Sequence, residues 1–196
     1  MSGSGLRPAL RALRYRLQAS RSRPRLHLGR GIRFRARLDI RGDGQVIIGD
    51  DVVIDSAPGD FRSFVTIYTH APDAVVTIGP RARLYGARIS CRYRVDIGPD
   101  TLVEEAGIAD TDFHSLDRSR GEPLDERADR CRVVIGERVS LGARSLIAKG
   151  VTIGSDVVVC PGAVVTRSLP PGSFAAGNPA RVIDGRTGEH RRLGSE

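Results

Sequence analysis

The stretch from Ile135 to Pro170, IGERVS LGARSL IAKGVT IGSDVV VCPGAV VTRSLP, repeats every six residues. Each block opens with an aliphatic residue, and these leading residues are Ile135, Leu141, Ile147, Ile153, Val159 and Val165. The period matches neither a helix, which repeats about every 3.6 residues, nor simple strand alternation. A repeat this short predicts a solenoid in which three short strands make one triangular coil. Because one coil cannot bury its own aliphatic side chains, the coils must stack with the leading residues pointing inward.

The same pattern occurs in weaker form earlier in the chain, at Ile48-Gly49, Ile78-Gly79 and Ile97-Gly98. A glycine after the leading aliphatic leaves room where the chain turns sharply at a coil corner. The intervening segments SAPGDFRSF and THAPDA are predicted to be loops at such corners. The sequence therefore predicts one all-β domain of stacked coils over residues 38–183, and a β-sandwich with coincidental spacing is disfavoured.

The composition is that of a globular protein, with 40% hydrophobic and 28% charged residues among 196. No apolar run approaches the roughly 18 residues that a membrane-spanning helix needs. The N-terminal stretch has arginines but no apolar core of a secretory signal. Three scattered cysteines without a C-x-x-C pair argue against a disulfide framework and favour a cytoplasmic location.

The net charge of +8 belongs to one end of the chain. Residues 1–37 contain eleven arginines and no acidic residue, whereas the remainder has 20 basic against 23 acidic residues. Leucines at positions 6, 10, 13 and 17 form one helical stripe within this arm. We expect an amphipathic helix that caps the open end of the coils, or that makes weak contact with an anionic membrane surface. A nucleic-acid partner is not expected because aromatic residues are scarce and no binding module is recognisable. Residues 184–196 form a polar tail.

The repeat is interrupted between residues 109 and 132, where the segment is long and strongly polar. Loops carried by a rigid scaffold are the usual place for function. This predicted inserted loop contains His114 close to Asp110, Asp112 and Asp117. With an ordinary pKa of about 6.5, a histidine accepts protons well at neutral pH, so His114 is the candidate general base. The alternative is a solvated surface histidine in an acidic loop.

Together, the blocks of six, the D-x-D-x-H pattern ending at His114 and the segment LPPGSFAAGNPARVI, Leu169–Ile183, resemble the hexapeptide-repeat acyltransferases. The likeness is greatest to the maltose and galactoside O-acetyltransferase branch and its polysaccharide-modifying relatives. It implies a left-handed parallel β-helix that forms a homotrimer. It also implies an acetyl-CoA or other acyl-CoA donor between neighbouring subunits, and direct transfer to a sugar hydroxyl with His114 as the catalytic base.

The resemblance also implies roles for other residues. Gly142 and Ala143 occupy the place of a backbone oxyanion donor, and Thr166 and Arg181 match positions that contact the coenzyme. The expected acceptor-binding residues are Asp112, Arg92 and Arg94. The two arginines stand where galactoside-type relatives have an acid and an amide, so the acceptor is expected to be anionic or unlike a simple hexose. Pro161 has no amide proton and removes a backbone donor that relatives have.

Other chemistries are disfavoured by the spacing of the residues they need. The four histidines, His27, His70, His114 and His190, are too scattered for a zinc site. Cys160 has no histidine beside it in the sequence, so it is expected to be a small buried hydrophobic residue. Two alternatives to the O-acetyltransferase stay open: an N-acetyltransferase of an amino sugar and a non-catalytic β-helix that serves as a binding or scaffold protein.

Overall fold

The structure, a computed structural model, describes Tyr15 and residues 25–60, 62–112 and 127–183. In these residues the chain is nearly all short strands, with one short helix and with Tyr15 in helical conformation. The strands are β1 (Arg25–Leu28), β2 (Arg33–Phe34), β3 (Leu38–Gly42), β4 (Gln45–Ile48), β5 (Val53–Asp55), β6 (Val65–Thr69), β7 (Val75–Ile78), β8 (Arg83–Tyr85), β9 (Arg88–Cys91), β10 (Arg94–Ile97), β11 (Leu102–Glu104), β12 (Gly107–Ala109), β13 (Val133–Ile135), β14 (Ser140–Leu141), β15 (Leu146–Ile147), β16 (Thr152–Ile153), β17 (Val158–Val159), β18 (Val164–Val165), β19 (Phe174–Gly177) and β20 (Ala180–Ile183); the helix is α1 (Ala128–Cys131).

Successive strands enter three different sheets in rotation, which is the topology of a triangular coil. Sheet A contains β1, β4, β7, β10, β13 and β16; sheet B contains β2, β5, β8, β11, β14, β17, β19 and β20; sheet C contains β3, β6, β9, β12, β15 and β18. All described pairings are parallel except that of β20, which returns antiparallel along β19. The predicted parallel β-helix is therefore confirmed, and its left hand stays a prediction.

The core is built from the aliphatic residues that lead the sequence repeats. They are stacked in register from coil to coil, and each is at most 2% exposed: Ile48, Ile78, Ile97, Ile135, Leu141, Ile147, Ile153, Val159 and Val165. Burying one such side chain stabilises the folded state by about 1.5–3 kcal/mol before the ordering entropy is counted. Each block of six therefore buries its leading aliphatic residue and the residue four places later, as in Ile135 and Val139.

Close stacking of the coils explains the glycines that follow several leading aliphatics. A Cβ atom added to Gly98 would lie 2.4 Å from the carbonyl oxygen of Gly136 in the next coil, and one added to Gly79 would lie 2.5 Å from Pro99 N. Both contacts are with backbone, which cannot move aside cheaply. Glycine is therefore needed at these corners because the coils approach each other closely.

The edge between sheets A and B carries a column of residues with left-handed backbone and alternating charge. Its members are Asp51, Arg81, Asp100, Arg138 and Asp156, with φ between 55° and 60°. Two of the ion pairs in the column are bidentate, between Arg81 and Asp100 and between Arg138 and Asp156. The column therefore matches opposite charges between stacked coils along an otherwise exposed edge.

Within the described residues the coils are already present at Arg25, ahead of the boundary that the arginine-rich composition predicts at residue 37. Leu26, Phe34 and Ala36 are buried, while the arginines between them occupy outward positions. A long arginine stem tolerates such positions because its charged end stays in water. The high arginine content of this segment therefore predicted a basic arm where the alternation of buried and exposed residues indicates strands.

Tyr15, which is helical, belongs to the predicted cap at this end of the coils. Its ring packs against Phe34 with the centroids 4.8 Å apart. Its hydroxyl donates to the carbonyl of Leu38 at 2.8 Å and accepts from the Leu38 amide at 2.9 Å. These contacts favour the capping role of the arm, whose other residues before Arg25 lie outside the described part, as does the predicted tail. No helix in the described residues is long and apolar enough to cross a membrane.

Candidate active site

Polar residues gather along the edge where strands of sheet C pass into strands of sheet A, which we name the C–A edge. The connections there differ in length from coil to coil, and the longest begins after β12 and returns before β13. The chain is described as far as Asp112 and again from Arg127, so His114 and Asp117 lie outside the described residues. The side chains that hold the two ends of this connection are described.

Asp110, at the start of the long connection, is fully buried. Its carboxylate accepts three consecutive backbone amides of the coil above: Arg92 at 2.7 Å, Tyr93 at 2.8 Å and Arg94 at 2.6 Å. Three charge-assisted hydrogen bonds satisfy a buried carboxylate without a cationic partner. Burial, and next the charge of Asp110, raise the pKa of the neighbouring Cys91 thiol far above its usual value. Asp110 therefore fixes the start of the connection to the preceding turn, and Cys91 stays protonated.

A second contact fixes the same end of the connection. Asp112, an expected acceptor-binding residue, pairs with Lys149 of the next coil at 2.5 Å. Both side chains are about one third exposed, at 31% and 32%. His114 follows Asp112 by two residues in the sequence. The candidate base therefore belongs to a segment whose first residues are held by coils on both sides.

The returning end of the connection is fixed by a cluster of three charged groups on sheet A. Arg132 pairs with Asp96 at 2.7 Å, and Arg94 pairs with the same carboxylate at 2.8 Å. Burial acts to raise the pKa of Asp96, but the hydrogen bonds from Arg94 and Arg132 outweigh it and lower the pKa below the ordinary value. Arg94, an expected acceptor-binding residue, is thus already occupied by an ion pair.

Arg92 and His70 lie along the C–A edge above the long connection. The Arg92 guanidinium lies over the Tyr93 ring, 5.6 Å from its centroid, and its Nε donates to the Tyr93 hydroxyl at 3.2 Å. Burial lowers the pKa of His70; Asp110 acts to raise it and Arg92 to lower it. His70 could not be grouped with the loop from the sequence, because only the stacking of coils brings the two onto one edge.

The expected coenzyme residues lie on two different edges. Gly142 and Ala143 follow β14 on the edge between sheets B and C, the B–C edge, and Arg181 lies on β20 opposite Ala176 near that edge. Thr166, in contrast, follows β18 on the C–A edge. Sheet C separates the two edges by roughly 16 Å, given about 3.3 Å per residue of strand. A single coil stack therefore does not bring the four residues together.

The two expected oxyanion donors at the B–C edge, Gly142 and Ala143, differ in whether their backbone amides already donate a hydrogen bond. The Gly142 amide donates to the carbonyl of Val159 at 2.9 Å and is used in coil stacking. The Ala143 amide donates to no acceptor among the described residues. Pro161 lies directly beside Gly142, because a Cβ atom added there would be 2.6 Å from Pro161 N. Of the two expected donors, only Ala143 has a free amide.

Cys160 follows β17 on the same edge and is partly exposed. The expectation that it is buried is therefore wrong. Its place at a coil corner explains the exposure, since an inward position would have been enclosed by the stacked coils. Among the described residues, no three or more histidine, cysteine or acidic side chains are grouped to hold a metal ion.

Comparisons with known proteins agree with this architecture. Residues 132–167 match the family model "Bacterial transferase hexapeptide (six repeats)". A segment of 51 residues is 43% identical to 2,3,4,5-tetrahydropyridine-2,6-dicarboxylate N-acetyltransferase of Staphylococcus aureus (strain JH9), covering 26% of this chain and 21% of that protein. The chain thus spans about a fifth of that relative's length.

Two solved structures share the fold over most of the chain. The polysialic acid O-acetyltransferase OatWY superposes with a TM-score of 0.60 at 24% identity, over 81% of this chain and 72% of that one. The hexapeptide-repeat acetyltransferase VCA0836 of Vibrio cholerae O1 biovar eltor, solved with acetyl coenzyme A, superposes with a TM-score of 0.51 at 26% identity, over 88% and 75%. These relatives are acetyltransferases of both the O- and the N-acetylating kind.

Proposed function

We propose that this chain, whose residues 132–167 match the bacterial transferase hexapeptide model, is an acyl-CoA-dependent O-acetyltransferase acting on a hydroxyl of a sugar or sugar-containing metabolite. The observation that carries the proposal is the anchoring of the segment around His114. Asp110 and the Asp112–Lys149 pair hold its start, and the Arg132–Asp96 pair holds its end. A base on a segment fixed at both ends can be positioned by a rigid scaffold.

The proposed chemistry is direct transfer with His114 as the general base. Its imidazole takes the proton of the acceptor hydroxyl while the hydroxyl oxygen bonds to the thioester carbonyl carbon. The carbonyl oxygen becomes an oxyanion, which the free Ala143 amide can stabilise by a hydrogen bond. When the carbon–sulfur bond breaks, the imidazolium returns the proton to the thiolate, leaving acetylated acceptor and free coenzyme A. General base catalysis of this kind contributes about 10²–10⁴-fold to the rate.

A trimer with the active site between neighbours explains the separation of the expected residues. Ala143 and Arg181 lie near the B–C edge, whereas Thr166 and the connection that carries His114 start from the C–A edge. In a homotrimer of left-handed coils, the B–C edge of one subunit can face the C–A edge of the next. Acetyl-CoA would then lie in the cleft, with Arg181 available to a phosphate because its guanidinium is always charged. We place this trimer in the cytoplasm, because three cysteines scattered along the sequence without a C-x-x-C pair are typical of a reducing compartment.

The test is release of free coenzyme A thiol when the protein is mixed with acetyl-CoA and a panel of sugars. We expect steady release with at least one acceptor, and a loss of at least about 100-fold for His114→Ala. The matched control is His27→Ala, because His27 points outward on β1 in the first coil, away from the long connection. Normal release by His114→Ala would overturn the role of the base. If acetyl-CoA neither reacts nor raises the melting temperature, the protein is a non-catalytic β-helix.

An amino-sugar acceptor is the second candidate, favoured by the similarity to the S. aureus N-acetyltransferase. Amino sugars in the same panel separate the two reactions. Acetylation that resists mild alkaline hydrolysis identifies an amide product, whereas a labile acetyl group identifies an ester.

A further inference from the structure

A cavity of about 230 Å³ lies on the C–A edge above the connection that carries His114. It is lined by Gly42, Asp43, Tyr68, Thr69, His70, Ala71 and Pro72. The walls come from two successive coils, because β3 ends at Gly42 and β6 ends at Thr69. The mechanism proposed above uses none of these residues.

The side chains around this cavity suit a sugar ring. Tyr68 is 39% exposed, and its ring meets that of His70 edge-to-face with centroids 4.3 Å apart. A fixed, exposed aromatic ring can cover the apolar face of a pyranose. Asp43 can accept hydrogen bonds from hydroxyl groups, and an imidazole can donate or accept them. One aromatic ring flanked by polar groups is thus available to a single sugar unit.

The register of sheet C connects this cavity with the proposed reaction centre. Tyr68 is paired with Ser90, and Ser90 with Ala109, the residue before Asp110. Two strand spacings separate Tyr68 from Ala109, which is about 10 Å. Ser90 and Ala109 carry small, half-buried side chains on the outer surface along this path, and the exposed Arg92 follows Ser90 by two residues. One pyranose ring cannot occupy the cavity and the reaction centre at the same time, whereas neighbouring units of a chain can.

We propose that this cavity is an acceptor subsite and that the acceptor is an oligosaccharide or polysaccharide with acidic units, not a free monosaccharide. This inference rests on the proposed function, because the cavity is an acceptor subsite only if the protein transfers acetyl groups. Tyr68 stacks on a unit distant from the acetylated one, and Arg92 binds a carboxylate of a unit between them. Both residues determine acceptor specificity and touch no reacting atom.

The first test measures binding to the full chain by fluorescence polarisation. The probes are fluorescein-labelled hexamers of galacturonic, mannuronic and sialic acid, their labelled monomers and the neutral hexamer of glucose. We expect at least one acidic hexamer to bind about tenfold or more tightly than its monomer, and Tyr68→Ala to remove that gain, because the alanine no longer covers the apolar face of a sugar unit. Tyr68→Phe should retain it.

The control variant is Phe64→Ala, because Phe64 is an aromatic residue of nearly equal exposure, 37%, that lies before β6 toward the B–C edge. Equal losses in Tyr68→Ala and Phe64→Ala would overturn the subsite. So would a panel in which no acidic hexamer binds better than its monomer. A glucose hexamer that binds as tightly as the acidic ones would overturn the acidic character of the acceptor.

The thiol-release assay separates failure of the subsite from failure of the proposed function. If thiol release proceeds equally well on monomers and hexamers and ignores Tyr68→Ala, acetyl transfer stands and the subsite is wrong. If hexamers bind through Tyr68 but no acceptor supports thiol release, the saccharide-binding cavity stands and the enzymatic function is wrong. With both correct, Tyr68→Ala should raise KM for the hexamer and leave kcat unchanged.

Discussion

Replacing Asp110 with alanine should destabilise the protein far more than any change to an acidic residue on its surface. The carboxylate is fully buried and accepts the amides of Arg92, Tyr93 and Arg94. Alanine removes the acceptor and leaves three amide groups at a coil turn without their partner. Water can reach the exposed Arg92 and Arg94 residues more easily than the half-buried turn residue between them.

The expected magnitude follows from these three hydrogen bonds. Each bond to a charged group contributes a net of about 1.5–3 kcal/mol, and water recovers part of the loss at the partly open turn. We therefore expect Asp110→Ala to lower the free energy of unfolding by about 3–5 kcal/mol. Asp112→Ala is the matched control, since its partly exposed pair with Lys149 is worth about 1 kcal/mol or less.

Urea denaturation followed by far-ultraviolet circular dichroism measures both variants under the same conditions. Equal m-values would show that the change lies in stability and not in the extent of unfolding. If Asp110→Ala costs no more than Asp112→Ala, the three hydrogen bonds do not fix the turn, and the anchoring of the long connection must have another source.

Two further predictions concern corners and charges elsewhere in the coils. Gly98→Ala should lower the free energy of unfolding by about 2–3 kcal/mol in urea titrations, because its Cβ would meet the Gly136 carbonyl. Gly107→Ala should cost less than about 1 kcal/mol, because the nearest atom to its Cβ would be the movable end of Leu146 at 3.0 Å, with the Ser145 carbonyl oxygen at an ordinary contact distance of 4.0 Å. Equal costs for the two variants would contradict close coil stacking. The lowered pKa of Asp96 means that its charged form stabilises the fold above the ordinary value of 3.8, and that this contribution is lost as the pH falls through the lower, folded-state pKa. The stability difference between wild type and Asp96→Asn should therefore be present at pH 7 and shrink below pH 4, and a difference independent of pH would contradict the ion pairs.

The coils could be predicted from sequence because each inward position must be filled by an aliphatic side chain in every turn of the stack. Ile135 and its successors show this directly, since each is buried against the leading residue of the neighbouring coil. The coil that contains Arg25–Leu28 could not be predicted in the same way. In the first coil, arginines occupy many of the outward positions. The arginine content therefore predicts a separate basic arm, although Leu26 and Leu28 alternate with polar residues as in a strand.

The candidate site was only partly predictable, because sequence distance does not indicate which corners share an edge. Asp110 and Asp112 are two residues apart, yet one is buried against the coil above and the other pairs with the coil below. Arg94 looks available for a ligand until the register places Asp96 and Arg132 beside it. His70 lies on the same edge as Arg92 only because β6, which it follows, pairs with β9.

The position of Asp110 joins the proposed acceptor path to the proposed base. Its carboxylate holds the turn that carries Arg92, and its backbone begins the segment that leads to His114. A ligand that binds Arg92 and a group that reacts at His114 are therefore positioned by the same buried residue. Because this buried carboxylate is held by three backbone hydrogen bonds, the separation between the two should be set by coil stacking and not by the ligand. Saccharide acceptors whose sugar units differ in length should then differ in kcat as well as in KM. If the C–A edge instead changed its conformation to fit each ligand, the acceptors would react equally well.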